Sequence, residues 1–226
     1  MSKIKNHKRV NDIFFGPIER PALRWLANHL PAWVTPDILT VVGISGSLII
    51  FLGYLLTNIH PAFLWLASFG FIINWFGDSL DGSLARFRHI ERPKYGFYID
   101  HVTDVLTEII TILGLGLTPY VKFSVAAMFC IAYITMSVLV YVRMNVMGEF
   151  IISYGKLGPT EARVLAILLN TGMFFGGVYT YRVNLGTVTA NLSPYDLVVT
   201  GFVLLIIFIF AVTNFRQAAA LLKSGE

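Results

Sequence analysis

Carboxylates within long apolar stretches are the residues of this 226-residue sequence best suited to chemistry. Asp78 and Asp81 are three positions apart, and Asp100, Asp104 and Glu108 follow one another at intervals of four. Each spacing places its carboxylates on one face of a helix. An ionised carboxylate within a membrane costs about 2.5 to 3.5 kcal/mol on insertion scales, so a group of them requires a function or compensating partners.

The four aspartates predict a site for divalent cations. In two antiparallel helices joined by a short loop, both pairs would lie at the same depth, because Asp78 is eight residues before Arg86 and Asp104 is eight residues after Gly96. Four carboxylates that face one another at low dielectric need cations, and two divalent ions would balance their charge. Ligation by oxygen alone favours Mg²⁺, Mn²⁺ or Ca²⁺ over zinc.

Each residue of this group also has a simpler structural explanation. A single aspartate could form an ion pair with a neighbouring arginine. For Glu108, an Asn, Thr or Arg partner on another helix is at least as good an explanation as a metal. Gly82 and Gly96 lack a side chain beside the acids, where a bulky ligand could approach the backbone. Arg86, one turn beyond Gly82, suits a phosphate group, although topology alone could also explain it.

The composition predicts that the helices carrying these acids cross a membrane. The sequence is 56% hydrophobic and 13% charged, whereas soluble domains carry about 25% charged residues. A helical span needs about 20 apolar residues, and the sequence provides six such stretches, at about 37–57, 61–86, 96–117, 121–143, 161–181 and 195–215. We therefore expect an all-α integral membrane protein. One membrane domain would cover 1–226, with a cytoplasmic start at 1–35 and a six-helix bundle at 36–216.

The positions of the basic residues predict the orientation of the chain. Of 17 Lys and Arg residues, 15 lie in the start, the second and fourth loops and the end, whereas only Lys122 and Arg182 lie on the opposite side. Cytoplasmic segments are enriched in Lys and Arg, so both termini and the site should face the cytoplasm. This distribution accounts for the net charge of +4 without nucleic acid as a partner.

A helix is predicted ahead of the first span. Its apolar residues recur at helical spacing, namely Ile18, Ala22, Trp25, Leu26, His29 and Leu30. Its polar residues are predicted to occupy the opposite face, namely Glu19, Arg20, Arg24 and Asn28. This pattern is typical of an amphipathic helix that lies in the membrane interface, but a helix docked on other protein segments explains it equally well.

The complete arrangement of acids and glycines resembles the signature of the CDP-alcohol phosphotransferases. It reads Asp78-x-x-Asp81-Gly82-x-x-Ala85-Arg86, then a spacer, then Gly96-x-x-x-Asp100-x-x-x-Asp104. Every fixed position of the signature is present, although the spacer from Phe87 to Tyr95 is slightly longer than is usual in the family. The segment from Thr35 to Thr40 is also similar to the nucleotide-contacting start of the family's first span.

The resemblance implies both a reaction and the residues that perform it. A substituted phosphate would pass from a CDP-alcohol to the hydroxyl group of an acceptor alcohol, with release of CMP and with two Mg²⁺ or Mn²⁺ ions in each active site. The implied metal ligands are Asp78, Asp81, Asp100 and Asp104, with Asp104 as the proton acceptor and Asp100 bridging the ions. The implied CDP-binding residues are Asp37, Thr40, Gly82, Ala85, Arg86 and Gly96. The family also implies a homodimer in the lipid bilayer.

Two branches of the family differ in the alcohols that they use. The Thr35 to Thr40 segment resembles phosphatidyltransferases that use CDP-diacylglycerol, the favoured donor, and a polar acceptor. In contrast, Asp100-His101 and the segment from Gly158 to Glu161 look more like enzymes that join CDP-choline or CDP-ethanolamine to diacylglycerol. The acceptor-site candidates are His101, Arg143, Glu161 and Arg163, with Lys156 as a further cation; a purely structural role is at least an equal explanation for His101 and Glu161.

Two readings without catalysis remain open at this stage. A divalent cation transporter would use the acidic cluster as an ion site, and a non-catalytic scaffold would pair the aspartates with cations from other spans. The compactness of the chain favours a bacterial cytoplasmic membrane over an internal membrane.

Overall fold

The computed structural model describes residues 8–10, 14–147, 149–151, 158–185 and 188–224. Within these ranges the chain is mostly helical, and its helices are α1 (Gly16–His29), α2 (Pro36–Leu56), α3 (Phe63–Phe87), α4 (Pro93–Gly116), α5 (Phe123–Met147), α6 (Pro159–Gly176) and α7 (Pro194–Ser224). Short strands β1 (Lys8–Val10) and β2 (Glu149–Ile151) pair in parallel. Strands β3 (Tyr181–Leu185) and β4 (Val188–Leu192) form an antiparallel hairpin between α6 and α7.

Proline and a side-chain cap explain where several helices begin. Pro36, Pro93 and Pro159 each occupy the first turn of a helix, where the missing N–H group has no intrahelical partner to lose. At the start of α2, the Thr35 hydroxyl accepts a hydrogen bond from the backbone N–H of Ile38 at 3.3 Å. The sequence therefore predicted these helix starts to within a few residues.

The end of the predicted fifth span is wrong. Helix α6 ends at Gly176 rather than near residue 181, because Gly177 has a φ of +73°, a conformation that favours glycine and stops the helix. The chain then enters the β3–β4 hairpin, which the apolar pattern did not predict. After this hairpin, α7 continues to Ser224, past residue 215, where the sixth span was predicted to end.

Among the described residues, four helices are long and apolar enough to cross a membrane, namely α2, α3, α5 and α7. Helices α4 and α6 occupy the positions of the remaining two predicted spans. Helix α4 contains three of the carboxylates discussed above, and α6 has only 18 residues. The all-α integral membrane class is therefore confirmed.

The tightest packing in the fold joins α2 to α3. The two helices run antiparallel, and Gly43, Gly46 and Gly53 of α2 meet Gly77, Asn74 and Ala67 of α3. A Cβ atom added at Gly46 or Gly77 would overlap backbone atoms of the opposite helix. Small residues permit such a close approach inside a membrane, where dispersion contacts and hydrogen bonds hold helices together.

Helix α1 packs on α3 with a face that the sequence did not predict. Leu23 and Ala27 are buried with Leu80 and Leu84 of α3, whereas Ile18 and Trp25 are 73% and 61% exposed. The prediction that Glu19 lies on the outward polar face is wrong. Its carboxylate is buried, and Oε1 accepts hydrogen bonds from Trp75 Nε1 at 2.7 Å and from Thr160 Oγ1 at 2.6 Å.

We predict that Gly53→Ala destabilises the fold. The new Cβ atom would lie 2.5 Å from the backbone nitrogen of Ala67, and overpacking of this kind costs about 1–3 kcal/mol. Gly172→Ala is the matched control, because the same helix-favouring change places a Cβ atom in open space. Thermal unfolding of the purified protein in detergent should give a lower Tm for Gly53→Ala alone. Equal Tm values for the two variants would contradict this account of the α2–α3 contact.

Candidate metal and nucleotide site

Three of the four predicted metal ligands converge between α3 and α4. Asp78, Asp100 and Asp104 each contribute one carboxylate oxygen, and these oxygens lie within 4.8 Å of one another. Asp78 belongs to the second half of α3, and the other two residues belong to the first half of α4. A compact set of carboxylate oxygens has the donor chemistry that Mg²⁺ and Mn²⁺ prefer. The described residues therefore fit the divalent metal that the sequence predicted.

Asp81 lies in the same cavity but has partners of its own. Its Oδ2 accepts a hydrogen bond from Thr40 Oγ1 at 2.7 Å, and its Oδ1 accepts one from the backbone N–H of Gly82. The open cavity is lined by Thr40, Gly43, Ile44, Asn74, Asp78, Asp81, Thr103, Asp104 and Thr107. Helices α2, α3 and α4 therefore form the walls of the site.

Arg163 of α6 reaches the acidic cluster directly. Its NH2 group donates to Asp78 Oδ2 at 2.5 Å, and its Nε donates to Asn74 Oδ1 at 2.8 Å. The side chains of Arg163 and Asp78 are 14% and 23% exposed. The structure thus places Arg163, an acceptor-site candidate, in contact with Asp78, a predicted metal ligand. An ion pair of this kind was the simpler structural explanation for a single aspartate.

The predicted nucleotide-binding residues lie on α2, α3 and α4. The Arg86 guanidinium lies beside Gly82, where an added Cβ atom would be 3.2 Å from NH1, whereas a Cβ atom at Gly96 would meet open space. Ala85 is half-buried on the same helix. Asp37 forms an exposed ion pair with Arg92, whose guanidinium also stacks on a tyrosine ring. The spacer that is longer than usual in the family therefore supplies a partner for Asp37.

The other acceptor-site candidates have different surroundings. His101 stacks on Phe97, with ring centroids 4.0 Å apart, and its Nδ1 lies 3.6 Å from Asp100 Oδ2. Arg143 lies against Gln217 of α7, whose amide oxygen accepts from Arg143 Nε at 2.6 Å when it is turned towards the guanidinium. Lys156 lies outside the described residues.

The contacts of Glu161 are structural. Its Oε1 accepts from the backbone N–H of Phe15 at 2.8 Å, and its Oε2 accepts from that of Gly158 at 2.9 Å. The carboxylate is buried at the start of α6, where it caps the helix and ties it to the segment before α1. The structure therefore does not bring Glu161 to the acidic cluster.

Sequence reasoning missed Asn74, Thr103 and Thr107, all of which line the cavity. Asn74 lies one turn before Asp78 on the same face of α3, so helical periodicity could have found it. It donates to the carbonyl oxygen of Gly43 and to Ser47 Oγ, both at 3.0 Å. Arg88 was also missed. It donates to the carbonyl oxygens of Leu30, Pro31, Ala32 and Val34 and so fixes the link between α1 and α2.

The fold and the cavity define an all-α membrane protein with an acidic site between α2, α3 and α4. A family profile described as CDP-alcohol phosphatidyltransferase matches residues 33–212, which is most of the chain. The chain therefore belongs to the CDP-alcohol phosphatidyltransferase family, and the resemblance found in the sequence is confirmed.

Curated relatives fall into both branches of the family. Cholinephosphotransferase 1 of Mus musculus is 21% identical over 90% of this chain and 53% of its own length. The CDP-diacylglycerol--serine O-phosphatidyltransferase of Encephalitozoon cuniculi is 28% identical over 80% of this chain and 49% of its own length. The chain spans about half the length of the curated relatives it matches.

We predict that the acidic cluster binds Mn²⁺. Asp100→Asn combined with Asp104→Asn should lower the Mn²⁺ affinity by at least about tenfold, or 1.4 kcal/mol, because two of the three clustered carboxylates lose their charge. Electron paramagnetic resonance titration of the purified protein measures free Mn²⁺ directly. The control is Glu91→Gln, which removes an exposed carboxylate from the α3–α4 loop and should leave the affinity unchanged. Equal affinities in the double variant and the wild type would exclude this site.

Proposed function

We propose that this chain is a membrane enzyme that transfers a substituted phosphate from a CDP-alcohol to the hydroxyl group of an acceptor alcohol and releases CMP. The observation that carries the proposal is the convergence of Asp78, Asp100 and Asp104, of which Asp78 and Asp104 line the open cavity, within a chain of this family. Burying these carboxylates among apolar helices is costly unless cations compensate them. A metal-dependent reaction accounts for that cost.

The roles of the residues follow from their positions in the cavity. Two Mg²⁺ or Mn²⁺ ions held by Asp78, Asp81, Asp100 and Asp104 would neutralise the charge of the diphosphate and of the departing CMP. Thr40 orients Asp81 by donating a hydrogen bond to it. Asp104 accepts the proton of the acceptor hydroxyl. The oxygen of that hydroxyl forms the new bond to phosphorus, and the bond between phosphorus and CMP breaks.

The remaining predicted residues would bind the nucleotide. Gly82, Ala85 and Gly96 leave space for the CDP group, and the open surroundings of Gly96 support this role. Arg86 carries a fixed positive charge next to Gly82, where it would contact a phosphate. Asp37, at the start of α2, is held by Arg92 at the edge of the same region.

For the substrates we propose CDP-diacylglycerol as donor and a small polar alcohol as acceptor. Glu108 lies one turn beyond Asp104 on α4, and its buried Oε2 has no hydrogen-bond partner among the described residues. The buried NH1 of Arg163 also has no hydrogen-bond partner there. Polar side chains of this kind beside the acidic cluster favour a polar acceptor over a lipid one. The relative from Encephalitozoon cuniculi is named for a reaction of this kind.

The second candidate is transfer from CDP-choline or CDP-ethanolamine to diacylglycerol. It is favoured by His101, which lies beside Asp100 and offers a second base, and by the relatives named Cholinephosphotransferase 1. In this reaction the acceptor would be a lipid and the donor would be water-soluble.

We further propose that α2 to α7 all cross the membrane and that α1 lies in the cytoplasmic interface, with both termini and the cavity on the cytoplasmic side. The distribution of basic residues supports this orientation, and the exposed Ile18 and Trp25 of α1 support the interfacial position. The proposal that the chain forms a homodimer rests on the family resemblance. The relatives named above are eukaryotic.

Activity is tested by a screen for CMP release from purified protein with Mg²⁺ or Mn²⁺. CDP-diacylglycerol would be combined with serine, inositol phosphate or glycerol phosphate, and CDP-choline or CDP-ethanolamine with diacylglycerol. Mass spectrometry of the lipid product would then identify the pair. Absence of CMP with every pair, together with cation flux in liposomes, would contradict the enzyme and favour a divalent cation transporter.

We predict that Asp104→Asn abolishes turnover and spares most binding of the CDP-alcohol. Loss of a general base lowers rates by about 10² to 10⁴, whereas the residues proposed to contact CDP remain in place. CMP release and donor binding would be measured on the same preparation, with Glu91→Gln as the unaffected control. Normal turnover of Asp104→Asn would remove this residue from the proposed chemistry.

The orientation predicts which engineered cysteines a membrane-impermeant maleimide can reach. Glu91→Cys and Lys223→Cys should be labelled only from the cytoplasmic side of sealed vesicles, and Tyr179→Cys only from the opposite side. All three positions are exposed, and the native Cys130 is buried, so the unsubstituted chain serves as the labelling control. Labelling of Tyr179→Cys from the cytoplasmic side would overturn the proposed topology.

A further inference from the structure

We propose that Arg163 is an internal counter-ion that exchanges between two carboxylates: it pairs with Asp78 when no metal is bound and moves to Glu108 when a metal binds. The inference rests on the metal site of the proposed function. It adds a competition between an arginine of α6 and the divalent ion, and this competition would set the metal affinity of the site.

The first position of Arg163 is the one that the structure shows. The guanidinium is fixed by two acceptors one turn apart on α3, since NH2 donates to Asp78 Oδ2 and Nε donates to Asn74 Oδ1. Asp78 is also one of the three clustered ligands. Arg163 therefore supplies a positive charge to a carboxylate that is only 23% exposed and would otherwise be costly to shield from water.

Metal binding through Asp78 Oδ2 would compete with this position. A Mg²⁺-sized ion lies about 2.1 Å from a ligating carboxylate oxygen, and Arg163 NH2 lies 2.5 Å from the Oδ2 atom. Two positive charges that share this oxygen would be at most about 4.6 Å apart and would repel each other. In the proposed exchange, the guanidinium therefore withdraws from Asp78 when the ion takes this oxygen.

The second position is indicated by two buried atoms that lack hydrogen bonds. Among the described residues, Arg163 NH1 and Glu108 Oε2 are both buried without a hydrogen-bond partner. Tyr133 of α5 forms a side-chain hydrogen bond with Glu108. In the proposed exchange, the guanidinium turns away from Asp78 and one of its N–H groups donates to the remaining oxygen of Glu108. Both unsatisfied groups would then be paired, and Arg163 would keep a counter-charge.

The exchange predicts opposite effects of two charge-removing substitutions on Mn²⁺ binding. Arg163→Gln removes the competitor and should tighten binding by about tenfold, whereas Glu108→Gln removes the charge that receives the displaced arginine and should weaken binding by about tenfold. The double variant lacks the arginine that Glu108 would pair with, so its Mn²⁺ affinity should match that of Arg163→Gln within about twofold. Such non-additivity is the signature of two residues that act on each other.

The titration uses the purified 226-residue chain without substrate. Arg163→Lys keeps a positive charge and should bind Mn²⁺ more weakly than Arg163→Gln does. The exposed Arg92–Asp37 pair provides the control, because Arg92→Gln removes an arginine–aspartate ion pair outside the cluster and should leave the affinity unchanged. If Arg163→Gln unfolds without metal, the lysine and Glu108 variants still measure the competition, and Mn²⁺ should rescue the folding of Arg163→Gln.

Three results would overturn the exchange. Weaker Mn²⁺ binding by Arg163→Gln would mean that the arginine positions Asp78 as a ligand. If Glu108→Gln lowers the Mn²⁺ affinity of the wild type and of Arg163→Gln by the same factor, Glu108 is itself a metal ligand. Failure of Mn²⁺ to rescue an unfolded Arg163→Gln would also contradict the proposal. A chain that binds Mn²⁺ through Asp78 but releases no CMP would instead contradict the proposed function, and the affinities would still test the exchange.

Discussion

The close approach of α2 and α3 is the constraint on which the rest of the structure depends. Because glycines remove the side chains between the two backbones, Thr40 comes within hydrogen-bond distance of Asp81, and Asn74 reaches the backbone of α2. A larger residue at Gly77 would overlap the backbone at Gly43. It would also separate the walls of the cavity. Any change in the spacing of the two helices would therefore also change the geometry of the site.

The sequence predicted the acids of the site because their spacing is a local property of each helix. Asp78 and the pair formed by Asp100 and Asp104 needed only a helical period and a short connection to be placed together, and the structure confirms their convergence. The starts of α2, α4 and α6 were predictable for the same reason, since proline acts within the first turn.

Other features depend on contacts between residues far apart in the chain, and local patterns could not supply them. Glu19 belongs to the polar positions of α1, yet it lies in the interior, where it accepts hydrogen bonds from Trp75 and Thr160. Glu161 was a candidate for the acceptor site, with a structural role as an equal explanation, and the structure shows that it caps α6 and accepts from the backbone N–H of Phe15. In both cases the polar side chain satisfies buried donors. The sequence alone does not reveal which donors the fold will bury.

Helix α6 shows how such contacts place a positive charge beside the acidic cluster. Three of its polar residues, Thr160, Arg163 and Asn170, contact α1, α3 and α2 together with α3, respectively. Hydrogen bonds within membrane proteins average only about 0.6 kcal/mol, so no single contact fixes the helix. Because the three residues are distributed along α6, a rotation or a shift of the helix would break all of them together. The orientation of α6, and with it the approach of Arg163 to Asp78, is therefore set jointly by contacts that are individually weak.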